Sequence, residues 1–447
     1  MIGLRHWQLA RGIATALVFY PVAEAIERRD VASKIVKLRR HYALSPAERE
    51  AASKVRLAEM LQFAGANVPY YRDLFSRLGF DPGRAAADPA RLEELPLLTK
   101  DIIDEQGERL LSRPLAETRH HACRTGGSTG RKAVIFYDQD AADYSSAVTA
   151  YCRERIGATR LRSTLHFAAR YADVERRGWP DRETFKCLAM NRSNIFFDRV
   201  DAPALAAMWR TIERRSPYLV HAHPSTVFAL AMHLSDSKAA GVATAFEVFE
   251  SSGEVLDQRK RRIISDVFGC RVINRYGLAE FGIIAYELHD RRGALDLLDS
   301  ECWAETQPGD GEEPGRLIVT GLRNRLMPLI RYDTGDLASI SRVDGVPVLE
   351  NLVGRVHDTI EVGGAPYLTH HLQDVLDHRV QGIRDFQFDM RTNPPTLRIV
   401  PEPDADTQEI ASRVRAQWGD AFGLAFVGAD EMVRVGDRAK FRHVVSA

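Results

Sequence analysis

Residues 125–137 read Thr125-Gly126-Gly127-Ser128-Thr129-Gly130-Arg131-Lys132, followed at once by Ala133-Val134-Ile135-Phe136-Tyr137. The first eight residues combine three glycines, three hydroxyls and two cations. Glycines let backbone N–H groups approach a ligand, hydroxyls donate hydrogen bonds and cations balance negative charge, so the stretch predicts a polyphosphate loop. It is not a Walker loop, which needs two glycines five apart and then Lys and Ser/Thr; Gly126 is followed five residues later by Arg131. No G-x-G-x-x-G fingerprint occurs either. The β-branched and aromatic run to Tyr137 predicts a strand directly after the loop.

Working outward, residues 115–350 alternate strand-like and helical runs. Helices are expected over 204–215, 225–234 and 259–268, and strands over 218–220, 246–249 and 271–274. Such alternation predicts an α/β layered domain. Residues 1–90 read as mostly helical, and Ser45-Pro46-Ala47-Glu48 carries a Ser cap, Pro in the first turn and Glu three residues after the cap. Beyond Gly354 the pattern becomes that of a small α+β module, with strands near 359–362, 386–390 and 397–400 and helices near 370–379 and 407–418. The expected organisation is a large domain over 1–353 and a small one over 354–447.

The 447 residues carry 61 basic and 61 acidic side chains. This balance gives no field for nucleic acid, and no nucleic-acid partner is expected. Five scattered cysteines with no C-x-x-C suit reduced thiols, predicting a cytoplasmic protein without a disulfide framework or cysteine-rich zinc site. Near the N-terminus Ile13–Ile26 is apolar but interrupted by Pro21 and Glu24, too short to span a bilayer. No transmembrane segment is expected there; the reading is an amphipathic helix packed on the body, with interfacial membrane contact as the alternative.

Four further segments carry chemistry. Glu250-Ser251-Ser252-Gly253-Glu254 and Asn274-Arg275-Tyr276-Gly277-Leu278-Ala279-Glu280 each follow an apolar run, where α/β sheets bind ligands. Tyr276 offers a flat face to a purine, Gly277 permits close approach, and Glu280 could hold the Mg²⁺ that a polyphosphate requires. In Pro328-Leu329-Ile330-Arg331-Tyr332-Asp333-Thr334-Gly335-Asp336, Asp336 follows a glycine turn and could accept from ribose hydroxyls. As an ordinary turn it would instead pair Arg331 with Asp333 or Asp336. The last segment joins Gly354-Arg355-Val356-His357-Asp358 to Ala439-Lys440-Phe441-Arg442. Lys440 is the only lysine after Lys260 in a chain with 9 Lys against 52 Arg, and an ammonium is a compact point charge that a guanidinium does not reproduce.

Together these five segments resemble the adenylate-forming superfamily of acyl-CoA synthetases, adenylation domains and luciferases. The nearer resemblance is to its phenylacetate–CoA ligase-like and capsule-biosynthesis-like branch, and Val68-Pro69-Tyr70-Tyr71-Arg72 shares in it. It runs from about residue 55 to the end. The resemblance implies that Thr125, Gly126, Gly127, Ser128, Thr129, Gly130 and Lys132 wrap the ATP phosphates. It implies that Ser252, Gly253 and Glu254 line the adenine site, with Tyr276 stacked on the base and Gly277 beside it. Asp336 would bind the ribose with help from Arg355, Glu280 would ligate Mg²⁺, and Lys440 would bridge carboxylate and α-phosphate. Tyr137 would stand near the acyl group, and a mobile small domain would turn about a hinge at His357. Apart from the resemblance, His221 and His223 flank Ala222 without further ligands for a metal pair and read as a wall of the substrate pocket.

Departures accompany the likeness. Arg131-Lys132-Ala133 stands where relatives usually carry a proline, His357 where the hinge is usually Asp or Lys, and Tyr286-Glu287-Leu288-His289 lacks the cysteines of zinc-bearing members, so no zinc is expected. The implied reaction activates a small-molecule carboxylic acid, aromatic or arylacetic, with ATP and passes the acyl group to coenzyme A. Transfer to a carrier protein or an amine is the alternative, a homodimer is open, and a non-catalytic nucleotide-binding scaffold is the reading of another class. A scaffold should lack Glu280, Asp336 or Lys440, and all three are present.

Overall fold

The structure is a computed structural model. It describes residues 2–124, 133–169, 182–197, 200–236, 245–289, 291, 293–307, 314–353, 359–362, 365–368, 372, 375–402, 404–428, 431–435, 440, 441 and 443–445. The whole glycine loop, Arg355 and His357 lie outside the described residues.

The N-terminal third is helical, as its patterning predicts. Ser45 caps the helix Pro46–Asn67 in a closed capping box: its hydroxyl accepts from the Glu48 amide while its own amide donates to the Glu48 carboxylate. That reciprocal pairing satisfies two donors a helix start otherwise leaves open. The next helix, Pro69–Leu78, buries Tyr71, whose hydroxyl donates to Pro328 O at 3.0 Å and accepts from Ile330 N at 3.1 Å. The Val68–Arg72 segment is thus structural, pinning the loop that leads to Asp336.

A hairpin, β1 (His120–Arg124) and β2 (Val134–Asp138), flanks the glycine loop. The main sheet has eleven strands: β3 (Thr164–Ala169), β4 (Arg192–Phe197), β5 (Leu219–Ala222), β6 (Val248–Ser251), β7 (Arg271–Leu278), β8 (Gly282–Tyr286), β9 (Leu295–Leu297), β10 (Cys302–Gln307), β11 (Gly315–Gly321), β12 (Tyr332–Val343) and β13 (Val346–Val353), in the order β10-β11-β12-β13-β9-β8-β7-β6-β5-β3-β4. The five strands β4-β3-β5-β6-β7 run parallel, and every pairing from β7 to β10 is antiparallel. Crossover helices Ala202–Arg215, Pro224–Asp236 and Gln258–Phe268 pack on the parallel half, burying Trp209, Leu230 and Phe268 with Val220 and Phe249.

Strand β7 is the switch. Its first half pairs in parallel with β6 and its second half, from Arg275, pairs antiparallel with β8. A strand ending at Asn274 was expected, yet it continues through the Tyr276 segment to Leu278, because β8 supplies a ladder that local sequence does not reveal. The register shifts between Tyr276 and Gly277. A side chain at Gly277 would stand 2.7 Å from the carbonyl oxygen of Gly282 on β8, so close backbone packing itself requires this glycine. Likewise β12 runs unbroken from Tyr332, and the expected glycine turn is an irregularity within it, with Gly335 at φ +77°.

Residues 360–444 build a cluster of their own around Phe386, Phe388, Ile399, Val414 and Trp418. Its sheet contains β16 (Ile383–Asp389), β17 (Thr396–Pro401) and β18 (Gly423–Phe426), with Val444–Val445 on the other side of β16 and the helix Thr407–Trp418 packed against it; a hairpin of β14 (Thr359–Val362) and β15 (Ala365–Leu368) precedes it. The large α/β layer followed by a smaller α+β sheet is the expected fold class.

One expectation fails at the N-terminus. The helical stretch is longer than the apolar run suggested, with a wide π turn at Thr15–Phe19 joining Ile2–Ala14 to Tyr20–Ile26. Instead of burying its apolar face, it leaves Trp7, Leu17, Val22 and Ile26 exposed.

Candidate functional site

Parallel register brings the first group together. Ala222 pairs with Ser251 and Ser251 with Asn274, so the residues that follow these strands emerge side by side. They are His223, Ser252-Gly253-Glu254 and, on β7, Tyr276. The Ser252 amide donates to Ala222 O at 3.3 Å. Gly253 adopts φ +84°, and a β-carbon there would lie 2.3 Å from His223 Cε1, so the histidine ring rests on the glycine. Glu254 turns inward: its carboxylate accepts from the Ser225 hydroxyl at 2.7 Å and from the Ser225 amide at 3.1 Å. It therefore fixes the start of the helix Pro224–Asp236, where a carboxylate complements the helix dipole.

The second group forms where β7, its turn into β8, and β12 meet. The Tyr276 hydroxyl donates to Asp336 Oδ2 at 2.6 Å. The Asp336 amide donates to the Thr334 hydroxyl at 3.1 Å, and that hydroxyl donates to Leu317 O at 2.8 Å, so the bulge aims the carboxylate at β7. Burial, then the Asp336 charge, holds the Tyr276 phenol well above its ordinary value, so it stays a donor. Arg331 joins neither aspartate of the ordinary-turn alternative. Its guanidinium lies 3.6 Å from Glu305 while Arg316 pairs with Asp333 at 3.1 Å.

Glu280 is buried in the turn between β7 and β8. The fully buried Tyr332 hydroxyl donates to its Oε1 at 2.6 Å. Tyr137 reaches the same turn from β2, its hydroxyl donating to Ala279 O. Burial is the main cause that pushes the Tyr137 phenol far up, with the charges of Cys123 and Glu280 adding to it. A narrow cavity of about 30 Å³ separates these groups, lined by Tyr137, Glu280, Phe281, Arg323, Asn324 and Leu329 among others. Arg323 also lines an open, charged cleft of about 590 Å³ with Arg56, Arg113 and Tyr144, lying away from the Tyr276 and Asp336 pair.

Below the strand ends sits a buried charge network that sequence reading did not foresee. The Glu250 carboxylate is fully buried; it accepts from Arg153 at 2.7 Å and Tyr286 at 2.7 Å, with His221 Nδ1 at 2.9 Å and Arg275 at 3.6 Å. Its partners hold it well below the carboxylate range against the opposing effect of burial, Arg153 foremost. His221 stacks on His166 with ring centroids 5.2 Å apart. Burial first, then Arg275, pushes the His221 imidazole down to about 4. His221 thus belongs to the support of the strand ends, and only His223 stands at the Gly253 turn.

The Tyr286–His289 stretch is also engaged: Glu287 accepts from Arg261 at 2.7 Å and from the Asn274 amide at 2.8 Å. Among the described residues no three His, Cys, Asp or Glu side chains group as metal ligands. The backbone of Lys440 lies on the short strand Lys440–Phe441, paired with Val435. Sequence reasoning missed Tyr332, Thr334 and Ser225 as supports; the first two lie within a quoted segment, but their partners are distant in sequence.

No protein-family model matches the chain. The chain is 22% identical over 385 residues to Protein CapK of Staphylococcus aureus, with 82% of each chain covered. It is 26% identical over 304 residues to phenylacetate-coenzyme A ligase of Thermus thermophilus, with 65% of each covered, and 24% identical over 355 residues to that of Escherichia coli, covering 74% of this chain and 76% of that one. Among solved structures, an open conformation of 2-hydroxyisobutyryl-CoA ligase in complex with 2-HIB-AMP and CoA superposes with a TM-score of 0.55 at 18% identity, covering 90% of this chain and 93% of that one. The chain shares the fold of that ligase. In sequence it is similar to Protein CapK and to the two phenylacetate-coenzyme A ligases, the resemblance that its motifs carry.

Proposed function

We propose that the protein is an AMP-forming ligase that activates a carboxylic acid as its acyl-adenylate and passes the acyl group to coenzyme A. The observation that carries this reading is the convergence of Tyr276, Asp336 and Glu280 at the strand where the parallel and antiparallel halves meet. A nucleoside needs a flat face and a hydroxyl acceptor side by side, and Tyr276 and Asp336 supply them. Asp336 retains acceptor capacity beyond its bond to Tyr276, since an ionised carboxylate offers about four lone-pair sites. Ser252, Gly253 and Glu254 supply the adjoining wall. Mg²⁺ suits a single protein carboxylate, because it keeps water and phosphate in its other positions; Glu280 would hold it there and screen the phosphate charge.

Chemistry then follows from charge. A carboxylate oxygen attacks the α-phosphorus, the P–O bond to pyrophosphate breaks, and a mixed anhydride with AMP forms. The thiolate of coenzyme A next attacks the acyl carbon, and AMP leaves with the bonding electrons. Two anions must meet in the first step, and the ammonium of Lys440 would neutralise charge at that phosphorus. The Thr125–Lys132 loop would hold the departing pyrophosphate. Residues 354–447, with a self-contained cluster, would act as a separate small domain turning near Arg355 and His357 between the two steps.

The branch favours an aromatic or arylacetic acid, with Tyr137 and His223 in the acyl wall. An amine acceptor is supported by a relative named fumarate–(S)-2,3-diaminopropanoate ligase, 23% identical over 301 residues. ATP–pyrophosphate exchange across arylacetic, aromatic and short hydroxylated acids separates the substrates, and product mass with coenzyme A, a carrier protein or amines separates the acceptors. The proposal expects exchange that Lys440→Ala abolishes. Absence of exchange with every acid by the folded protein would refute it.

A further inference from the structure

We propose that the N-terminal helix is a membrane-surface anchor that lays its apolar face into an anionic lipid headgroup layer. The helix is amphipathic in the wrong sense for a packed helix. Its polar residues face the body: Gln8 donates to Arg215 O at 2.7 Å and Ser216 O at 3.0 Å, Arg11 to Arg192 O at 3.1 Å, and Thr15 to Leu188 O at 2.9 Å. Gly12 lies on the same side, so close to the chain that a β-carbon would stand 2.1 Å from Leu161 O. The apolar residues are left exposed, Leu17 at 73% and Ile26 at 69%, with Ile13, Val18 and Val22 also exposed and Trp7, at 59%, stacked under the Arg11 guanidinium at the edge of the polar stripe. Over His6–Ile26 the helix is long and apolar enough to cross a bilayer, and only 11% of its most apolar window is buried in the protein.

The polar stripe decides between crossing and lying flat. A spanning helix would have to leave Gln8, Arg11 and Thr15 in hydrocarbon, whereas here they are tied to the protein surface. The helix can therefore offer one face only, as an interfacial helix does. Charge selects the occupant. Residues 1–40 hold eight basic side chains against three acidic, a surplus of five in a chain whose total is zero. Arg29, Lys34 and Arg39 pair with Asp143, Asp140 and Glu154. Arg28, Lys37 and Arg40 are exposed and, among the described residues, form no ion pair. A second apolar protein face would not need these cations; an anionic lipid surface attracts them.

Flotation of the purified full-length protein with vesicles tests this. Vesicles of equal parts phosphatidylcholine and phosphatidylglycerol should carry the protein upward, and phosphatidylcholine alone should carry little. The double substitution Leu17→Glu and Val22→Glu should lower the bound fraction at least tenfold while leaving the melting temperature unchanged. Failure of the parent protein to float, or equal flotation by the variant, overturns the proposal. So does a parent protein that is dimeric by light scattering and becomes monomeric on the double substitution, since a second copy would then cover this face.

Discussion

Tyr332→Phe isolates one hydroxyl. The ring stays fully buried and keeps its contact with Phe281, 5.7 Å between centroids, so no cavity opens. What disappears is a 2.6 Å bond to Glu280 Oε1. A hydrogen bond to a charged group contributes about 1.5–3 kcal/mol. Without it the buried carboxylate loses the donor that fixes its rotamer, and its position becomes one of several. If that energy is expressed in the step that Glu280 serves, adenylation slows by about 10- to 150-fold at about 1.4 kcal/mol per decade. The assay is ATP–pyrophosphate exchange with the best acid, run across a Mg²⁺ series, with the melting temperature as a check on folding. The half-saturating Mg²⁺ concentration should rise with the loss of rate, because the proposed ligand is no longer held. A Tyr332→Phe protein within twofold of the parent in rate and Mg²⁺ response, alongside an inactive Glu280→Gln protein, would refute the positioning role.

Two further outcomes follow from the strand ends. Gly253→Ala forces φ +84° on a residue with a β-carbon and drives that carbon to 2.3 Å from His223 Cε1, so it should cost about 1–3 kcal/mol in a denaturant midpoint and raise KM for ATP; an unchanged KM would remove Gly253 from the nucleotide wall. For pH, His221 is held neutral in the fold down to about 4, while the unfolded chain takes up the proton near 6.5. The unfolded state binds more protons in that interval, so stability falls as pH drops from about 6.5 towards 4, by up to about 3 kcal/mol. Below about 4.5 the depressed Glu250 carboxylate adds a loss of the same sign. Urea midpoints at successive pH values check this, and a His221→Gln protein with an undiminished slope between pH 6.5 and 5 would assign it to other groups.

Local chemistry was legible because it is written in adjacent residues. Ser45 and Glu48 close their capping box as read, and the helices near 204–215, 225–234 and 259–268 appear within a few residues of their expected ends. Strand limits were less legible. Strand β7 extends past Asn274 and β12 runs through the expected glycine turn, because each extension depends on a neighbour supplied from elsewhere in the chain. The ordinary-turn alternative for Arg331 does not form: Asp333 and Asp336 are its neighbours in sequence, but Glu305 approaches it from β10.

The sequence by itself determined the class of fold, the order of the site segments and the residue types able to hold a nucleotide and a carboxylate, since glycines, caps and short-range periodicity act within a few residues. Tertiary structure alone decided what those groups face. Register between β5, β6 and β7 put His223, Gly253 and Tyr276 together, a bulge in β12 turned Asp336 to Tyr276, and burial gave Glu280 its Tyr332 partner. The N-terminal helix shows the division most plainly. Periodicity reveals that a helix has an apolar face, but only the polar bonds of Gln8, Arg11 and Thr15 to the body determine that this face points outward.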